Sequence, residues 1–175
     1  MKSATTKTRI SAAFGTAVFL LMAPGTVAGL VPWWLSGWRV HAAFPGFAAL
    51  QAVGAVSIVA GLAVLVEAFV RFARKGLGTP APVYPTRRLI VTGSYQYVRN
   101  PMYIAVTALV LGQGILFGSL RVLAYGVLAW LCTHLFVVFY EEPTLRRSFP
   151  HDFAAYTANV WRWIPRLKPW NMHGP

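Results

Sequence analysis

Four long apolar runs constrain this chain more than any other feature. They cover roughly residues 10–31, 44–70, 101–117 and 120–140, and a helix crosses a hydrocarbon core with about 17 to 25 residues. Inside lipid every backbone N–H and C=O must be satisfied internally, which a helix does within one segment. The expected fold is therefore all-α: an integral membrane helical bundle of about four transmembrane helices, with a cytosolic loop and a C-terminal amphipathic helix. The first run has a second reading. Lys2, Lys7 and Arg9 precede it and Thr26-Val27-Ala28 resembles a small-residue cleavage site, as in a secretory signal peptide. Its apolar stretch exceeds the roughly 7 to 15 residues of such a signal, so an uncleaved helix is the reading adopted.

Charge agrees with this picture. The 175 residues carry a formal net charge of +12 although only 11% are charged and 57% are hydrophobic. So basic a chain suggests nucleic acid only if its cations share a polar surface. Here they fall in short clusters between the apolar runs, and no nucleic-acid partner is expected. Fourteen of the sixteen Lys and Arg lie before the first run, between the second and third, or after the fourth, leaving Arg39 and Arg121 on the other side. The positive-inside bias then places both termini and the middle loop in the cytoplasm, in a multi-pass protein of the cell (inner) membrane. Cys132 is the single cysteine, which excludes an internal disulfide framework and a cysteine-based zinc site; no metal is expected. Nothing in the sequence sets the oligomeric state.

The non-cytoplasmic side has little material for chemistry. Trp33, Trp34 and Trp38 suit an interfacial aromatic belt. Only Gly118-Ser119 separates the third run from the fourth, which predicts a tight antiparallel hairpin whose backbones approach at Gly112, Gly114, Gly118 and Gly126. The chain divides into an N-terminal two-helix membrane region, 1–72, and a region 73–175 with loop, hairpin 101–140 and tail. Candidate chemistry belongs to the second.

Within that loop, Gly76, Gly78, Pro80, Pro82 and Pro85 exclude a regular helix. Leu89, Ile90, Val91, Tyr95, Tyr97 and Val98 supply apolar anchors that would fold it back on the hairpin. Asn100-Pro101 is a helix start, Asn as cap and Pro at the first helical position. Asn100 is thus either a cap alone or part of an anion site at a helix N-terminus, with Arg99 as a second cationic element or a headgroup anchor.

At the far end of the hairpin the sequence reads Tyr140-Glu141-Glu142-Pro143, where the fourth helix is expected to stop. Two of the four acids in the chain stand there, at a helix end whose dipole favours cations. Glu142 either pairs with Arg146 at i+4 or holds a polar or cationic ligand. His134, seven residues earlier, is read as a neutral hydrogen-bonded side chain or an intramembrane functional group. Glu67 and Arg71 read as an i,i+4 ion pair near the end of the second helix, or Glu67 faces the site. Leu145, Phe149, Phe153 and Tyr156 recur at helical spacing, giving a tail helix expected to lie on the membrane interface.

Taken in order, Gly93-Ser94-Tyr95-Gln96-Tyr97-Val98-Arg99-Asn100-Pro101-Met102-Tyr103, the hairpin, Glu141-Glu142-Pro143, Phe153-Ala154-Ala155-Tyr156 and Arg162-Trp163-Ile164-Pro165 resemble the isoprenylcysteine carboxyl methyltransferase family and its phospholipid-methyltransferase relatives. The family pattern is a Gly-x-Tyr loop, an Arg-His-Pro-x-Tyr hairpin entrance, a Glu-Glu pair at its exit, a Phe-Gly-x-x-Tyr-x-x-Tyr helix and an Arg-x-x-Pro end. The resemblance covers about residues 87–168 and implies an integral membrane methyltransferase that uses S-adenosylmethionine on a lipid or lipidated carboxylate or amine. It implies catalytic roles for Arg99, Asn100 and Glu142. It also implies a cofactor site of Tyr95, Tyr97, Val98, Arg99, Asn100, Pro101, Tyr103, Glu141 and Glu142. Arg99 and Asn100 would take the methionine carboxylate, Glu141 or Glu142 the amino group or ribose, and the tyrosines the adenine or sulfonium.

Two departures stand out: Asn100 where the family has His, and Pro150-His151 where Gly follows Phe. Asn cannot act as an acid or base near neutral pH. Two other readings remain open, a membrane NADPH-dependent reductase resembling sterol and steroid reductases, and a membrane protein without catalysis.

Overall fold

A computed structural model describes residues 22–40, 47–75, 89 and 91–172. Among the described residues the regular structure is entirely helical: α1 (Val31–Ser36), α2 (Phe47–Lys75), α3 (Pro101–Phe117), α4 (Leu120–Phe136), α5 (Glu142–Ser148) and α6 (Pro150–Asn159). A π-helical stretch, Thr26–Leu30, leads into α1, a second, Val137–Glu141, joins α4 to α5, and a 3₁₀ turn spans Gly93–Gln96. Two helices are long and apolar enough to cross a membrane, Phe47–Arg71 and Leu120–Ser148, and Pro101–Phe117 is a shorter apolar helix. The first predicted span lies partly outside the described residues; its end, from Met22, is helical. The described chain forms two compact units, one of Leu20–Leu65 with Met102–His134, the other containing Val66–Pro101 with Leu135–Pro175.

In the helical unit, small residues let backbones touch. A Cβ on Gly54 would sit 2.7 Å from the Gly112 carbonyl oxygen, and one on Gly61 would sit 2.8 Å from that of Ala105, so α2 lies directly on α3. Gly114 and Gly126 serve the α3–α4 hairpin as expected, against Leu123 and Leu111. Gly112 does not: it faces α2, because its partner is the glycine at 54. Gly118, at φ 62°, ends α3 in a left-handed cap, with Ser119 N donating to Gly114 O at 2.9 Å and Gly118 N to Ile115 O at 3.2 Å. Buried Gln113 is fully employed: its Nε2 donates to Ala28 O (2.7 Å) and Leu109 O (3.1 Å), and its Oε1 accepts from Trp38 Nε1 (3.0 Å). Leaving any of these unpaired away from water would cost about 1–3 kcal/mol.

The fourth predicted helix does not stop at Tyr140. It continues to Ser148 through the π-helical turn Val137–Glu141. Pro143 lacks an N–H and would clash with the carbonyl four residues back in a regular helix. The wider turn just before it accommodates that mismatch.

The second unit has its own core, Val91, Phe153, Tyr156 and Val160, with Leu89, Leu145, Phe149, Trp170 and Met172 against it. The apolar stripe of the tail, expected to lie on lipid, is therefore turned inward. Phe149, at φ −139° and ψ 61°, breaks the stripe into α5 and α6. Of the loop anchors, Leu89 and Val91 pack on α6 and the tail; residues 76–88 and 90 lie outside the described residues.

Candidate functional site

The site is built on the segment 93–100, held from both sides. Gly93, at φ 64°, opens the 3₁₀ turn, and a side chain there would collide with the Arg71 guanidinium and the Glu67 carboxylate. Glu67 accepts from Arg71 Nε through one oxygen, the expected ion pair, and from Ser94 Oγ through the other at 2.9 Å. It thereby ties the end of α2 to the turn. From the opposite side the C-terminal strap supplies a row of hydrogen bonds: Trp170 N to Gln96 O (3.0 Å), Arg166 N to Tyr97 O (2.9 Å) and Arg99 N to Trp161 O (2.9 Å). Asn100 Nδ2 adds a bond to Arg162 O (3.1 Å), and Tyr156 Oη donates to Tyr95 O (2.7 Å).

These restraints bring Arg99 and Arg162 onto one carboxylate. Glu142 Oε1 accepts from Arg99 Nη1 at 2.8 Å and from Arg162 Nε at 2.7 Å, and its Oε2 accepts from Arg162 Nη2 at 2.8 Å. The Arg162–Glu142 contact is bidentate, the stronger guanidinium–carboxylate geometry. Arg99 and Glu142 have side chains only 14% exposed, and that of Arg162 is 32% exposed. Two fixed cations thus share one anion. Arg99 Nε is buried and finds no hydrogen-bond partner among the described residues. Burial depresses the Arg99 guanidinium below its ordinary range, with Glu142 opposing and Arg162 adding to the effect. Arg162 moves the other way, raised chiefly by its hydrogen bond to Glu142. An arginine keeps its proton regardless, so among the described residues two guanidiniums meet one carboxylate here and these three side chains carry a net positive charge.

Of the residues singled out in the sequence, Arg99, Asn100 and Glu142 are brought together. Val98 and Pro101 are buried in the same segment. Tyr97 is 37% exposed. The Tyr95 phenol is pushed well above its ordinary range by burial first, then by Glu141, Tyr156 and Glu67, so Tyr95 lies within the field of two carboxylates. Glu141 closes the π-helical turn one residue before Glu142. Tyr103 stands in the first turn of α3, in the helical unit, where its carbonyl accepts from Thr107 Oγ1. His134 stacks on Trp130, ring centroids 5.4 Å apart, in that same unit.

Glu142 takes Arg99 and Arg162 as its hydrogen-bonded partners, rather than the Arg146 one turn along its own helix. The site residue that sequence reasoning missed is Arg162. Its signal was present in the scarcity of acids: Glu142 is one of four in the chain and needs a cationic partner, one of which stands at the head of Arg162-Trp163-Ile164-Pro165, although the helix end expected at Glu142 is not there.

Compared with protein families, the chain matches the model described as phospholipid methyltransferase over residues 49–152. No curated protein matches it significantly. The matched stretch is more than half of the chain; it contains Glu67, Arg99, Asn100, Glu141 and Glu142 and ends before Arg162.

Proposed function

Because the chain belongs to the phospholipid methyltransferase family, whose members use S-adenosylmethionine, we propose that it methylates a membrane lipid or lipidated small molecule at the cluster around Arg99, Asn100 and Glu142. The observation that carries this placement is the buried, unpartnered Nε of Arg99 beside a carboxylate already shared by two guanidiniums. An anionic group such as the cofactor's methionine carboxylate supplies the missing charge and acceptor. Glu142 has both oxygens committed to arginines and is assigned the role of holding Arg99 in position; Glu141, whose charge acts on Tyr95, is assigned the cofactor's amino group. Tyr95, neutral at any working pH, offers a ring surface.

When bound, S-adenosylmethionine supplies a methyl group on a sulfonium, electrophilic without further activation. What the chain contributes is alignment and exclusion of water. Asn100 is not asked to move a proton. Its amide donates to the Arg162 carbonyl, a bond that an imidazole N–H can also make, so the exchange of His for Asn is compatible with a positioning role. The acceptor is a carboxylate or amine carried by a lipid, and a prenylated carboxylate is the form to which the isoprenylcysteine carboxyl methyltransferase resemblance points. Family membership favours this reading over the reductase and over a protein without catalysis.

The experiment is methyl transfer from labelled S-adenosylmethionine to total membrane lipids by the purified full-length chain. The expected result is label in a lipid fraction, lost in Arg99→Ala. Absence of label in every lipid and lipidated fraction, from protein that binds S-adenosylhomocysteine, would refute the acceptor class.

A further inference from the structure

The turn after α6 carries apolar side chains that the fold makes no use of. Its backbone is fixed at both ends: Val160 N donates to Tyr156 O (2.9 Å), Arg166 N to Tyr97 O (2.9 Å) and Trp170 N to Gln96 O (3.0 Å). Arg166 Nη1 adds a bond to Asn159 O at 2.9 Å. Between these anchors Trp161 is 60% exposed, Ile164 63% and Leu167 99%. One exposed apolar residue needs no explanation, but three within seven residues on a restrained turn do. Trp161 and Leu167 border a shallow depression of about 530 Å³ formed with Asn159, Pro165, Arg166 and Lys168.

The charge of the surroundings says what covers this surface. No acid occurs after Asp152. Arg162 is committed to Glu142, while half-buried Arg166 and exposed Lys168 stand beside the apolar residues, and Arg146 and Arg147 are exposed in α5 of the same unit. Tryptophan and aliphatic side chains interleaved with basic ones are the composition of a membrane–water interface. This unit also holds the end of a helix, Leu120–Ser148, long and apolar enough to cross a membrane, so lipid is always close at hand.

We propose that residues 161–168 form a docking site for anionic phospholipid headgroups. Trp161, Ile164 and Leu167 enter the boundary between headgroups and acyl chains, and Arg166 and Lys168 take the phosphate-bearing groups, each basic residue favouring an anionic surface by about five-fold. Arg162, within this segment, faces Glu142 instead, so the docking surface uses other side chains than the methyl-transfer cluster and does not depend on that reading.

The test uses the full-length chain with Cys132→Ser, so that Leu167→Cys, and in a second preparation Ile164→Cys, can be labelled with an environment-sensitive fluorophore. Each is placed in phosphatidylcholine nanodiscs with or without phosphatidylglycerol. The expected result is blue-shifted emission quenched by shallow brominated lipids, with a several-fold larger buried fraction in the anionic discs. High salt, or Arg166→Gln with Lys168→Gln, abolishes that difference. Water-like emission at both positions overturns the proposal, as does equal burial in neutral and anionic discs. Energy transfer between labelled copies without lipid quenching would identify a second copy as the occupant and overturn it equally.

Discussion

Replacing Glu142 by Gln keeps the shape of the side chain and removes the charge that two guanidiniums share. Arg99, 14% exposed, and Arg162, 32% exposed, then repel each other with no anion between them. Breaking a fully buried pair by removing one partner costs about 3–5 kcal/mol, and an exposed pair contributes about 0–1 kcal/mol. With one arginine buried and the other partly wet, the expected loss for Glu142→Gln is about 2–3 kcal/mol of stability. Arg162→Gln leaves Glu142 still paired with Arg99 and should cost less, about 1–2 kcal/mol. The double variant should lose less than the sum, with a coupling of about 1–2 kcal/mol. Reversible unfolding of the four proteins in mixed micelles, followed by circular dichroism, gives the cycle. Additive losses, or a Glu142→Gln effect below about 0.5 kcal/mol, would mean that the cluster is a solvated surface contact and that Glu142 does not position Arg99.

Asn100→His should retain cofactor affinity to within about three-fold, because it preserves a donor toward the Arg162 carbonyl, whereas Asn100→Asp, which presents an acceptor to an acceptor, should lose about ten-fold or more; titration of each with S-adenosylhomocysteine decides. Gly112→Val forces a side chain into Gly54 and Ile58 and should destabilise the helical unit by at least about 1–3 kcal/mol, seen as a lowered Tm, while Gly29→Val, with open space around it, should not. Tyr95 and Tyr156 both ionise above the ordinary phenol range because they are buried. Above about pH 10 the unfolded chain therefore releases protons that the folded one retains, and stability should fall as pH rises past that point; a flat unfolding free energy between neutral pH and pH 11 would contradict the burial of these phenols.

Different parts of this molecule were legible in the sequence to different depths. The α3 helix was readable at both ends because its limits are local chemistry: Asn100-Pro101 starts it and Gly118 in a left-handed cap stops it. The orientation of Gly112 was not, since spacing along one helix says that a close approach occurs and not which neighbour makes it; the decisive partner, Gly54, lies far away in sequence. Pro143 reads in the sequence as a stop, as proline usually does, but a π-helical turn ahead of it carries the helix on. The stripe Leu145, Phe149, Phe153 and Tyr156 was correctly periodic and wrongly faced, because lipid and a protein core accept the same side chains, and only Val91 and Val160 across from it reveal which one it meets. Arg99 and Glu142 were marked by local features, a helix start and a pair of acids beside a proline, although the helix runs on past Glu142. Arg162 completes them from 20 residues beyond Glu142, through a strap whose path no periodicity predicts.

The claim on which the rest depends is that Arg99, held by Glu142, forms an anion site for the cofactor. Equilibrium binding of S-adenosylhomocysteine to the purified chain and to Arg99→Ala, with folding of both verified by their unfolding transitions, tests it most directly. The account predicts micromolar-range binding to the wild-type chain and a loss of about ten- to one-hundred-fold in the variant, the worth of a charge-assisted hydrogen bond. Equal affinity in the two, or no binding to the folded wild-type chain at millimolar concentration, would contradict it.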